Sequence, residues 1–158
     1  MTLYCQYLSN TPVGDLEIIA THKAITAIRF LPGAGERTPD SRPSPLTAQA
    51  ERELNEYFSG QRTRFELPLA PIGTEFQQAC WQALQAIPYG QTASYADQAA
   101  VIQRPRAVRA VGAANGANPL PIVIPCHRVI GKNGQLTGYA GGMARKQWLL
   151  AHERGQVG

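Results

Sequence analysis

A chain of 158 residues with 44% hydrophobic and 16% charged content can bury a core and is too apolar to stay disordered, so one compact unit or two small ones are expected. No apolar run approaches the roughly 20 residues of a membrane span, and the N-terminus lacks the basic, apolar, small-residue succession of a secretion signal, so a soluble cytoplasmic protein is expected. Cys5, Cys80 and Cys126 are odd in number and far apart; this speaks against a disulfide framework and against the short paired ligand spacings of a structural zinc, and no metal or cofactor is expected.

The net charge of +4 is divided unevenly. Residues 1–72 hold 7 Lys+Arg against 8 Asp+Glu, a net of −1, whereas residues 73–158 hold 8 against 3, a net of +5. Such a one-sided excess suits a phosphate-binding surface, although many basic domains bind nothing acidic.

In chain order, alternating apolar residues predict strands over Leu3–Leu8, Asp15–Ala20 and Ala24–Phe30, joined by Pro12-Val13-Gly14 and Thr21-His22-Lys23 into a small antiparallel sheet. A Pro/Gly/Ser-rich surface loop follows over Pro32–Pro43. Ser44-Pro45 then opens a helix, as N-cap and first-turn proline, that should reach Phe58 and stop at Gly60. Thr63–Leu69 reads as one more strand and Pro68–Pro71 as a linker.

From Thr74 the pattern turns helical. Thr74 and Gln77 form a capping box ahead of the stripe Phe76, Cys80, Leu84 and Ile87, which Pro88-Tyr89-Gly90 ends. Two short helices, Ser94–Ile102 and Pro105–Ala114, flank Gln103-Arg104 at a spacing suited to a helix-turn-helix, although generic helical hairpins share it. A buried run Pro121–Pro125, an extended stretch Val129–Tyr139 turning at Lys132-Asn133-Gly134, and a last helix Arg145–Arg154 close the chain. The fold class is α+β: residues 1–70 a small antiparallel-sheet domain, residues 73–158 a mostly helical one.

Cys126 lies between Ile122-Val123-Ile124-Pro125 and His127-Arg128. A thiol becomes a nucleophile when an imidazole or cation favours its anion, whereas an isolated apolar cysteine is usually core. Neighbouring side chains on a strand point to opposite faces, so His127 can serve Cys126 only across a bend or through a water. A basic histidine needs a group that fixes its tautomer, and Glu153 is one of three acids in this half; a solvated helix-end charge is its other reading. On the second short helix, Arg106, Arg109, Ala110 and Ala113 share the i, i+3, i+4, i+7 face. Alanines there suit close approach to the minor groove, about 6 Å wide, and equally suit tight packing on a neighbouring helix.

These residues converge on a known family. Ile124-Pro125-Cys126-His127-Arg128-Val129, the stretch Arg106–Asn118, Gly138-Tyr139-Ala140-Gly141-Gly142 and Lys146-Gln147-Trp148-Leu149-Leu150-Ala151-His152-Glu153 closely resemble the O6-alkylguanine-DNA alkyltransferases, also called methylated-DNA-protein-cysteine methyltransferases. The likeness covers most of residues 74–153. Over residues 1–70 it extends only to length and element order, which in the family is a ribonuclease-H-like structural domain. It implies direct, irreversible, single-turnover transfer of an alkyl group from O6-alkylguanine, and from O4-alkylthymine, in double-stranded DNA to Cys126. It implies no membrane and no obligatory protein partner.

Carried over residue by residue, the resemblance makes Cys126 the acceptor, activated through a water by His127, which Glu153 orients. Asn118 becomes the hinge between recognition helix and active-site strand, and Arg109 the finger that replaces the extruded base. Tyr95 aids extrusion and donates to guanine N3. Arg106, Ala110, Ala113 and Arg128 fall among the DNA contacts. Tyr139, Val129, Ala140, Gly141 and Asn115 fall around the base, Asn115 standing where some relatives carry a larger apolar residue. Two rival readings are a lesion-binding alkyltransferase-like protein, which would lack the acceptor cysteine, and a Cys-His hydrolase of peptides or esters.

Overall fold

The computed structural model describes residues 2–31, 42–134, 139 and 141–155. Most of the expected Pro32–Pro43 loop, together with Gly138 and Ala140, lies outside the described residues. The chain forms two compact units, residues 1–71 and 72–158.

In the first unit, β1 (Tyr4–Thr11), β2 (Gly14–Ala20) and β3 (Ile25–Phe30) form an antiparallel sheet in that order. Thr11 pairs with Gly14, leaving Pro12-Val13 as the hairpin turn. Leu16, Ile18, Ile25 and Ile28 are buried. Helix α1 (Pro45–Phe58) contacts all three strands and buries Thr47, Ala50, Leu54 and Tyr57, the 3–4 spacing of one helical face. Ser44 caps it in a reciprocal bond pair with Thr47, Pro45 sits in the first turn, and Gly60 after its end has a left-handed φ of 82°.

The expected strand Thr63–Leu69 is not formed; the segment makes only an isolated parallel bridge between Leu69 and Ile25. Its backbone is satisfied in another way. The Glu66 N–H donates to the buried Glu53 carboxylate at 2.8 Å, and Pro68, which has no N–H to give, offers its carbonyl to Ile25.

Among the described residues the second unit holds four helices, α2 (Glu75–Gln85), α3 (Tyr95–Val101), α4 (Val108–Gly116) and α5 (Met143–Glu153), and a short parallel pair, β4 (Ala93–Ser94) and β5 (Val129–Ile130). Thr74 and Gln77 make the expected capping box, but Trp81 rather than Phe76 is the main buried anchor of α2, its indole N–H donating to the Ala114 carbonyl at 2.8 Å. Gly73 lies against that indole, and a Cβ there would stand 2.4 Å from Trp81 Cη2. A fixed indole cannot retreat, so Gly73→Ala should cost about 1–3 kcal/mol in denaturant unfolding; an unchanged midpoint would show that residues 72–74 move freely.

Two boundaries shift. Arg104–Ala107 is a turn closed by Ala107 N–H on the Arg104 carbonyl, so α4 starts at Val108 and Arg106 precedes it. Residues 121–128 form no strand: after a turn, Cys126–Arg128 is a single 3-10 turn leading into β5. Among the described residues no helix is long and apolar enough to cross a membrane.

Candidate active site

The cysteine loop is shaped by one side chain. Asn118, just beyond α4, accepts the Leu120 N–H at 2.9 Å and donates to the Ile124 carbonyl at 2.8 Å and to Cys126 Sγ at 3.2 Å. Within this bracket Ile122 is held at φ 74° while 1% exposed, a conformation unfavourable for a β-branched residue and tolerated where surrounding contacts over-determine it. The following 3-10 turn turns successive side chains by about 120°, which supplies the bend that an adjacent cysteine and histidine require.

His127 is fully buried, and its Nε2 lies 2.7 Å from Glu153 Oε2. Arg128 grips the same carboxylate, Nε to Oε1 at 2.8 Å and Nη2 to Oε2 at 3.1 Å, and donates to the Ile87 carbonyl at 2.7 Å. Burial alone would raise the Glu153 pKa, but the bonds of His127 and Arg128, the Arg128 charge and, in acid where it is protonated, the His127 charge outweigh it and hold the carboxyl well below the usual range. Burial lowers the His127 pKa although Glu153 opposes it. The pair is therefore a carboxylate and a neutral imidazole. An ionised carboxylate only accepts, so Nε2 carries the proton and Nδ1 presents its lone pair; among the described residues the buried Nδ1 has no hydrogen-bond partner.

Cys126 is 8% exposed. Burial pushes its thiol pKa up, while Asn118, the Lys146 charge and Tyr139 pull it down. Burial prevails, so the resting group is a thiol. The Tyr139 hydroxyl is buried, and its own pKa is raised by burial and by the sulfur beside it. Lys146 donates to the Val129 carbonyl at 2.7 Å and, 1% exposed, sets a buried cation near the sulfur.

The fold thus gathers Cys126, His127, Glu153, Asn118 and Tyr139, while Arg106, Arg109, Ala110 and Ala113 are exposed at and before α4. Tyr95 opens α3, half-buried, its ring 3.8 Å from where a Gly112 Cβ would stand. Gly141 is buried, its carbonyl accepting from Arg145. Arg128 requires correction: expected as a DNA contact, it is buried and its guanidinium is bound to Glu153 and Ile87, so it cannot reach a phosphate. Asn115 is buried and turns its amide to Gln98, both polar atoms bonded there, so those atoms are not offered to a base. Sequence reasoning missed Lys146, although Lys146, Leu149, Leu150 and Glu153 have the i, i+3, i+4, i+7 spacing of one inward helical face.

These features define a class: a buried cysteine acceptor with a histidine–carboxylate pair behind it, in a unit that also carries a helix-turn-helix. Two family descriptions match the chain, the 6-O-methylguanine DNA methyltransferase ribonuclease-like domain over residues 3–71 and the DNA-binding domain of the same family over residues 75–155. The constitutive methylated-DNA–protein-cysteine methyltransferase of Bacillus subtilis is 48% identical over 92% of this chain and 93% of its own length. A Salmonella typhimurium methylated-DNA–protein-cysteine methyltransferase is 55% identical over 75% and 67%. The crystal structure of Mycobacterium tuberculosis OGT in complex with DNA superposes with a TM-score of 0.85 at 44% identity, covering 98% of this chain and 94% of that one. The chain belongs to the 6-O-methylguanine DNA methyltransferase family.

Proposed function

We propose that this protein repairs DNA by moving the alkyl group of an O6-alkylguanine onto Cys126, once per molecule. The observation that carries the reading is the Cys126 loop itself: one thiol, held by Asn118, beside a neutral imidazole whose far nitrogen is fixed by Glu153. The proton leaves Sγ for His127 Nδ1 through a bridging water, which meets the need for a bend or a bridge. The thiolate attacks the alkyl carbon, the S–C bond forms as the C–O6 bond breaks, and the electron pair passes to the guanine ring. A proton donated at N3 by Tyr95 offsets that charge. The product is a thioether, and among the described residues no neighbouring group is disposed to cleave it.

A stacked base cannot reach a buried sulfur, so the nucleotide must be turned out of the duplex, which costs a few kcal/mol and less for a poorly paired base. The exposed face of Arg109, Ala110 and Ala113 supports minor-groove binding, with Arg106 in the preceding turn toward the backbone and Arg109 filling the gap. Around the flipped base stand Tyr139, Gly141 and the Val129 carbonyl, which keeps one lone pair beyond its bond to Lys146. O4-alkylthymine falls within the same chemistry. Three free cysteines suit a reducing cytoplasmic setting.

Intact-mass measurement after mixing with O6-methylguanine duplex tests the reading. A gain of one CH2 on the peptide containing Cys126 is expected; no gain would leave only lesion binding, and acyl turnover would indicate a hydrolase. Arg109→Ala should slow repair in duplex by roughly 10²-fold while leaving reaction with free O6-benzylguanine nearly unchanged, since its task is orientation of the base. Equal losses on both substrates would remove it from extrusion.

A further inference from the structure

Helices α3 and α4 pack on each other, Ala99 of α3 and Val111 and Ala114 of α4 being buried, and a pair of carboxamides joins them. Gln98 is 3% exposed and Asn115 6%. Each donates an amide N–H to the other's oxygen at 2.8 Å, and Gln98 Nε2 also donates to the Cys80 carbonyl at 3.1 Å. One side chain thus ties α3 to α2 and α4 together.

Two buried amides are a poor way to gain stability, because their desolvation nearly cancels their bonds, and apolar groups of the same shape can hold two helices equally well. What amides add is direction. Apolar packing tolerates sliding and rotation, whereas a reciprocal bond pair admits one register. The position of this pair gives that register a consequence. Asn115 is in the last turn of α4, and its carbonyl accepts the N–H of Asn118, the residue that holds Cys126. Arg109 is six residues earlier, about 9 Å along the same rod. Tyr95 is one turn before Gln98 on α3, its ring against Gly112 of α4.

We infer that the Gln98–Asn115 pair is a positioning device that fixes the Arg109-bearing helix relative to Tyr95 and to the Cys126 hinge, so that an extruded base arrives at the sulfur in register. The inference rests on the alkyl-transfer reading above. A free base needs no extrusion and diffuses to the thiol, so the pair matters for duplex and not for free base.

The test compares the second-order rate of thioether formation on O6-methylguanine duplex and on free O6-benzylguanine, with melting temperature alongside, for wild type, the apolar pair Gln98→Leu/Asn115→Leu, and the exchanged pair Gln98→Asn/Asn115→Gln. For the apolar pair we expect melting close to wild type, a free-base rate within about twofold, and a duplex rate lower by roughly tenfold or more. The exchanged pair, which keeps two amides across the same gap, should recover most of the duplex rate. If the apolar pair does not fold, Gln98→Met, which removes the α3 partner alone, carries the same comparison. Duplex and free-base rates that stay unchanged, or that fall together, would overturn the positioning role. Failure of wild type to gain mass from either substrate would instead overturn the alkyl-transfer reading.

Discussion

Cys126→Ala should abolish the mass gain on methylated duplex while leaving a folded protein that still binds DNA. The sulfur is the reactant itself, so its removal leaves no residual rate. Neither remaining thiol is a substitute. Cys80 is fully buried on α2, where burial raises its pKa, and Cys5 is raised by burial and by Glu17, to which it donates. The change in stability should be small, about 1 kcal/mol, because Asn118 keeps its bonds to Ile124 and Leu120 and only one small side chain is shortened. Binding of the variant to duplex should weaken steeply with salt, as expected where arginines displace counterions from phosphates. Intact mass, thermal melting and anisotropy at two salt concentrations read the three claims separately. A mass gain that survives the substitution would place the acceptor elsewhere.

How much of this was legible in the sequence depended on whether the decisive partner was local. Caps were legible: Ser44 with Pro45 and Thr74 with Gln77 act within one turn of themselves. The strand proposed at Thr63–Leu69 was not, because its backbone partner is the Glu53 side chain on a helix, a contact no alternation of residues encodes. Cys126, His127 and Glu153 were legible through a motif. Arg128 was misread because adjacency does not give direction; on a 3-10 turn the three side chains diverge, and the third falls behind Glu153 rather than toward solvent. Lys146 shares the inward spacing of Glu153 on α5, but a lysine on a helix is usually solvated, so nothing beyond that spacing signals its burial. The Gln98–Asn115 pair, seventeen residues apart on two helices, had no local signature.

Glu153→Gln should slow thioether formation by about 10²–10⁴-fold, the usual worth of a positioned proton acceptor, and should lower the melting temperature. The geometry forces both effects. In wild type Arg128 donates to each carboxylate oxygen and His127 Nε2–H to one of them. A carboxamide has one oxygen and one NH2, so either orientation sets a donor against a donor. If the NH2 faces Arg128 Nε, that bond is lost; if it faces Nη2 and His127, the imidazole must move its proton to Nδ1, the nitrogen that should accept from the thiol. The buried Arg128 charge also loses its counterion, at about 3–5 kcal/mol, which a protein of ordinary stability, about 5–15 kcal/mol, survives at room temperature. The pH dependence follows from the directions of the shifts. Glu153 is depressed in the fold, so its stabilisation is complete above the ordinary carboxylate value near 4.3 and is lost only as pH falls through its much lower folded value; the glutamine variant lacks that acid limb. His127 is also depressed, so the wild type is steady above about pH 6.5 and weakens as pH falls below it, where the unfolded chain takes up the proton first. Without Glu153 the imidazole is less basic still, and this acid-side loss extends to lower pH. The thiol, already raised by burial, then lacks its internal acceptor and must lose its proton to solvent, so the pH for half-maximal alkylation by free O6-benzylguanine should move upward. A pH profile identical to wild type, with the rate intact, would show that Glu153 supports the fold and takes no part in moving the proton.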